Sequence, residues 1–123
     1  MEHQELSNRV IGLAIEVHKT AGPGLLEHVY QECLCLELEA AGIPFQREVS
    51  IPIVYKGRTV PVGFRAGIVV AEAIILEIKG VPSLVPAHEA QILTYLRMSG
   101  IRVGFIMNFH APLLKDGLRR FIV

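Results

Sequence analysis

Two short apolar runs, Ile68–Val70 and Ile74–Leu76, are separated only by Ala71-Glu72-Ala73. Neither alternates with polar residues, so neither can turn one face to water. Runs of this kind are central strands covered on both faces. A chain that contains them must bring other elements to both sides of its sheet.

The remaining sequence supplies helices. Leu6, Val10, Leu13, Ala14 and Val17 recur at helical spacing, which predicts an amphipathic helix over Leu6 to His18. Ala21-Gly22-Pro23-Gly24 ends it, and a second helix follows from Leu26 to Ala41 with Gly42 as its stop. Phe45 to Tyr55 reads as a strand, edged at Pro52. Lys56-Gly57 turns it into Arg58–Phe64, which runs on towards Val70. The next strand is Ile74–Lys79. Pro82 and Pro86 bracket a loop before a third helix, His88–Met98, which stops at Gly100. Val103–Met107 is a further buried strand and Leu118–Val123 a short last one. The predicted order is α-α-β-β-β-α-β-β over residues 1–123, one α/β domain with two or three layers.

Composition agrees. With 123 residues, 51% hydrophobic and 20% charged, the chain is neither disordered nor collagen-like, and a single core is within reach. The longest apolar stretch, Gly67 to Leu76, is interrupted by Glu72 and falls short of the ~18 residues a bilayer span needs. The start is polar and acidic, unlike a secretory signal. Cys33 and Cys35 diverge on a helix, which suits neither a disulfide nor a metal site. These features lead to the expectation of a cytoplasmic protein without membrane association, and leave a homo-oligomer open.

Formal charge is zero, but unevenly spread. Residues 1–42 carry two basic groups against seven acidic ones, and residues 43–123 carry ten against five. The two halves could neutralise each other, or the basic half could face phosphates. Asp116 is the only aspartate.

Three places could carry chemistry. In Ile74–Lys79 the period of two puts Ile75, Glu77 and Lys79 on one face, which turns ionic at the strand's end. Crevices open at such ends, although an ion pair emerging into water would look the same. On the third helix His88, Gln91 and Tyr95 share a face, beside an apolar stripe of Ile92, Leu93 and Leu96. That face is either a solvated one with a half-buried tyrosine or one that carries chemistry. Glu27 and Tyr30 share a face of the second helix, and the helix dipole alone could account for Glu27 in the first turn. His18 lies just before the break that leads to them. There is no Gly-rich phosphate loop, zinc cluster or nucleophile elbow.

Taken together, these residues resemble the GxxExxY protein family, a branch of the PD-(D/E)XK nuclease-like superfamily. The name-giving motif stands as Gly24, Glu27 and Tyr30, after Val17-His-Lys-Thr-Ala-Gly-Pro. Glu77-Ile-Lys79 matches the (D/E)xK element, Gln91 and Tyr95 match a QxxxY helix, and Arg102–Phe109 matches the family's late strand. The resemblance implies a PD-(D/E)XK nuclease-like fold, a mixed central sheet flanked by helices. It also implies phosphodiester hydrolysis of DNA or RNA with Mg²⁺ or Mn²⁺. Carried over, Glu77, Lys79 and Glu27 are the catalytic residues, with Glu77 and Glu27 as metal ligands. Gln91, Tyr95, Tyr30 and His88 are expected to contact or orient the substrate.

One position departs from the pattern. The superfamily's aspartate, ten residues before the (D/E)xK glutamate, falls at Gly67 within Phe64-Arg-Ala-Gly-Ile-Val-Val70. Glycine offers a cation nothing, and Mg²⁺ asks for several oxygen ligands. Glu48 and Glu89 are the nearest carboxylates that could stand in. The expectation is therefore a nuclease-like protein with impaired catalysis. The alternative is an inactive binding or assembly module on the same fold.

Overall fold

The computed structural model describes residues 2–123. Helices α1 (Gln4–Ala21) and α2 (Glu27–Ala40) precede strands β1 (Phe45–Tyr55), β2 (Arg58–Val70) and β3 (Ile74–Lys79). Helix α3 (Pro86–Ser99) then leads to β4 (Val103–Asn108), a 3-10 turn (Leu114–Gly117) and β5 (Leu118–Ile122). The expected element order holds. Helix α3 starts two residues earlier than its apolar pattern indicates, because Pro86 sits in the first turn, where a missing N–H costs nothing.

The five strands lie in chain order, β1-β2-β3-β4-β5. Only β3 and β4 run parallel, joined by the α3 crossover; the other neighbours are antiparallel. The sheet is therefore mixed, as the resemblance implies. Tight turns close both hairpins, at Lys56-Gly57 and at Ala71-Glu72, with positive φ at all four residues. Such turns match the twist of the strands they join.

Three layers result. On one face α1 and α2 bring Val10, Ala14, Val17, Leu34 and Leu38 against Ile68, Ile74, Leu76, Val103 and Phe105. On the other, α3 brings Ile92, Tyr95 and Leu96 against Ile51, Val69, Ile75 and Ile106. Both faces of β3 are thus buried, which is why Ile74–Leu76 has no polar member.

Strands β1 and β2 break the rule of alternation near β3, and their register shifts again between Ile51 and Ile53. Ala66 and Ile68 are two apart, yet Ala66 packs in the α3 layer and Ile68 in the α1–α2 layer. Across the ladder Phe45 and Val49 divide in the same way. The exchange falls between the pairs Arg47↔Ile68 and Val49↔Ala66, at Glu48 and Gly67. Glu48 has φ 52°, a left-handed value that turns the strand over.

Candidate active site at the end of strand β3

Strand β3 carries Glu77 and Lys79 to its C-terminal end, beside Ile106 and Asn108 of β4. Glu77 Oε1 accepts a hydrogen bond of 3.2 Å from the Gly67 backbone N–H across the sheet. Burial pushes its carboxyl up to about 7; the Gly67 N–H and the Lys79 charge pull the other way, while the charges of Glu48 and Glu27 add to the rise. Among the described residues Glu77 has no cation within ion-pair distance. The alternative of a simple ion pair at a strand end is not what forms. Lys79 acts on Glu77 only through space.

Glu27 approaches from the first turn of α2. Its Oε2 accepts a 2.9 Å hydrogen bond from the Gly80 N–H, one residue beyond β3. The carboxylate thus clamps the strand end as well as facing the helix N-terminus, where a negative charge is favoured. One helical turn later, Gln31 donates from Nε2 to Glu48 Oε1 at 2.8 Å. Its other amide atom lies over Gly67: a β-carbon there would stand 2.6 Å from Gln31 Oε1. Gln31 therefore occupies the space that a side chain at position 67 would enter.

Neither Gln31 nor the part played by Glu48 is marked by any motif. Their roles depend on α2 lying across the point where β1 and β2 exchange faces. Glu48 is the nearer of the two stand-in carboxylates, since its charge reaches Glu77. Glu89 enters none of the hydrogen bonds described for the site.

The third helix contributes less than expected. Tyr95 is buried, edge-on to Phe64 with ring centroids 4.9 Å apart, and its phenol is pushed up to about 12 by burial and then by the Glu77 charge. His88 is used locally: its Nδ1 accepts the Val85 N–H at 3.2 Å, while its own backbone N–H bonds the Val85 carbonyl. Gln91 is exposed. Of the three, Tyr95 is the one on which the Glu77 charge acts.

Tyr30 requires a correction. It is 1% exposed, stacked on Phe109 with ring centroids 4.5 Å apart. Its hydroxyl donates to the Gly22 carbonyl and accepts from the Leu25 N–H. No face is left for a substrate, and the residue instead pins the Gly-Pro-Gly segment that delivers Glu27. His18 is likewise structural, with Nε2 2.8 Å from the Ala111 carbonyl oxygen. Asn108, within the late-strand segment Arg102–Phe109, fixes the far side of the site. Its Oδ1 accepts from the Val81 and His110 N–H groups and its Nδ2 donates to the Val81 carbonyl.

The model of the PD-(D/E)XK nuclease superfamily matches residues 4–121, nearly the whole chain. The chain belongs to that superfamily. No curated protein and no solved structure matches it. PD-(D/E)XK nucleases generally use divalent metals, so the donor set here has to be tested against one. Glu77 and Glu27 offer the hard oxygens such a cation needs. Position 67 offers none, its place holds a neutral amide, and among the described residues no three His, Cys, Asp or Glu side chains come together to hold an ion. As it stands, the set does not fit a resident divalent cation. The described helices also include none long and apolar enough to cross a membrane.

Proposed function

We propose that this chain is a GxxExxY-type member of the PD-(D/E)XK superfamily in which hydrolysis of DNA or RNA phosphodiesters, dependent on Mg²⁺ or Mn²⁺ in a complete site, is impaired. The observation that carries the reading is the pair Glu77 and Gly67. The glutamate is half-buried at the strand end with Lys79 beside it. Where a second carboxylate belongs, a backbone N–H faces it instead.

Each group retains part of a hydrolytic site. Glu77 can hold a proton near neutral pH, because burial lifts its carboxyl to about 7. Lys79 supplies positive charge where a phosphate oxygen would need it. Glu27 and Asn108 keep the strand end and its following loop in place. What is missing is the convergence of carboxylates that would hold a cation.

The test is a cleavage assay on single- and double-stranded DNA and RNA, with Mg²⁺ and with Mn²⁺. It compares the natural chain, Gly67→Asp and Gly67→Asp/Glu77→Ala. The reading expects little or no cleavage by the natural chain, a gain with Gly67→Asp, and loss of that gain when Glu77 is removed. Full activity in the natural chain, lost when Glu77→Ala is made in it alone, would overturn it. An inert Gly67→Asp variant that binds Mn²⁺ normally would favour the assembly-module alternative.

A further inference from the structure

The hairpin of β1 and β2 is much longer than the sheet that supports it. Strand β2 pairs with β3 only over Ile68–Val70, whereas β1 and β2 stay paired out to Tyr55↔Arg58. Among the described side chains, the last of the hairpin packed against the α3 layer are Ile51 and Phe64. Residues 52–63 therefore project as a two-stranded ribbon. Val54 is 53% exposed and Tyr55 62%. Such a ribbon is marginal alone in water, so apolar surface on it calls for a partner.

Its charge identifies the partner. From Val49 to Ala71 the chain has Lys56, Arg58 and Arg65 and no acidic residue, although the whole molecule is neutral. All three cations are exposed. Tyr55 and Arg58 are directly opposite in the ladder and so share a face, and Lys56 Nζ lies 5.4 Å from the Tyr55 ring centre. An exposed aromatic ring flanked by cations suits a nucleic-acid strand, with the ring available to a base and the cations to phosphates. Strand β2 continues from the ribbon through Arg65 to Gly67, the residue whose N–H bonds Glu77.

A second copy of the chain is the competing occupant, since β1 is the outer strand of the sheet. Two features oppose edge-to-edge pairing. Pro52 removes an N–H from β1, and the left-handed turn at Glu48 interrupts its line. Two ribbons brought together would also set like charges against each other.

We infer that the ribbon of residues 52–63, with Arg65 at its base, forms an arm that binds the nucleic-acid backbone, through Lys56, Arg58 and Arg65 with Tyr55 as a stacking surface. This deepens the nuclease reading and depends on nucleic acid being the ligand. The test is binding of fluorescent single-stranded and duplex DNA and of single-stranded RNA across a salt series, without divalent metal. Lys56→Glu/Arg58→Glu and Arg65→Glu are compared with Lys115→Glu, a cation on the 3-10 turn. The arm variants are expected to lose about tenfold or more in affinity. The double variant should also lower the slope of log affinity against log salt by about two, since each phosphate contact contributes nearly one. Lys115→Glu should bind like the natural chain. Equal binding by the arm variants would overturn the arm while leaving a nucleic-acid ligand in place. No binding by the natural chain at low salt would remove both the arm and the substrate class. A natural dimer that Lys56→Glu/Arg58→Glu alters, with no nucleic-acid binding by either, would assign the ribbon to self-association instead. Thermal melts of all variants check the fold, and Lys56→Gln/Arg58→Gln replaces any charge reversal that unfolds.

Discussion

Gln31 and Gly67 share one space: the amide oxygen of the first lies 2.6 Å from where a β-carbon on the second would be. That contact involves the far end of a flexible side chain, so it can yield. Gly67→Asp is therefore expected to fold, displacing Gln31 from Glu48 at a cost of about 1 kcal/mol, the worth of one hydrogen bond. Gln31→Ala should cost a similar amount in the natural chain and almost nothing in the Gly67→Asp background. Denaturant melts of the two single variants and the double variant close the cycle. Strict additivity would show that the two positions do not compete.

Glu77 makes stability depend on pH. Its carboxyl titrates at about 7 in the fold, against 4.5 as its ordinary value, because burial favours the neutral form. The folded protein holds this proton after the unfolded chain has released it. Stability is then fully present below about pH 4.5, falls as pH rises, and levels off above about 7, for a total of roughly 3 kcal/mol. Glu77→Gln keeps an acceptor for the Gly67 N–H and removes the titration. It should be the more stable protein at pH 8, with the advantage shrinking towards pH 5. Parallel stability profiles for the two proteins would contradict the assignment.

Tyr30 is expected to behave as a structural residue. Tyr30→Phe keeps the stack on Phe109 but leaves the Gly22 carbonyl and the Leu25 N–H without their shared partner. A loss of about 1–3 kcal/mol is expected. Limited proteolysis should also quicken between Gly22 and Leu26. An unchanged melt and cleavage pattern would return the hydroxyl to a role outside the fold.

Asn108 should be costlier. The side chain is 6% exposed and makes three hydrogen bonds, which tie the loop after β3 to the end of β4. Asn108→Ala strands the backbone groups of Val81 and the N–H of His110, for a loss of roughly 2–4 kcal/mol by chemical denaturation. A cost within about half a kcal/mol would mean water replaces those bonds.

Local periodicity carries the layer order and the placement of Glu77 and Lys79, because both follow from a period of two on a doubly covered strand. The same rule misleads at Ala66 and Ile68, which it assigns to one face. The exchange at Glu48 and Gly67 arises from backbone torsion at a single ladder position, and residue type does not encode it. Tyr30 shares a helix face with Glu27, which makes it look like part of the site, but its burial against Phe109 depends on a strand end far along the chain. Gln31 has no signature for the same reason. Its meaning exists only where α2 crosses β2.

The most direct test is calorimetric titration of Mn²⁺ into the natural chain, Gly67→Asp/Gln31→Ala and the same variant with Glu77→Gln. If position 67 is what leaves the site unable to hold a cation, the natural chain shows no saturable binding. The double variant then gains a site, and Glu77→Gln removes it. Saturable binding by the natural chain, as tight as that of the double variant and lost with Glu77→Gln, would contradict the account.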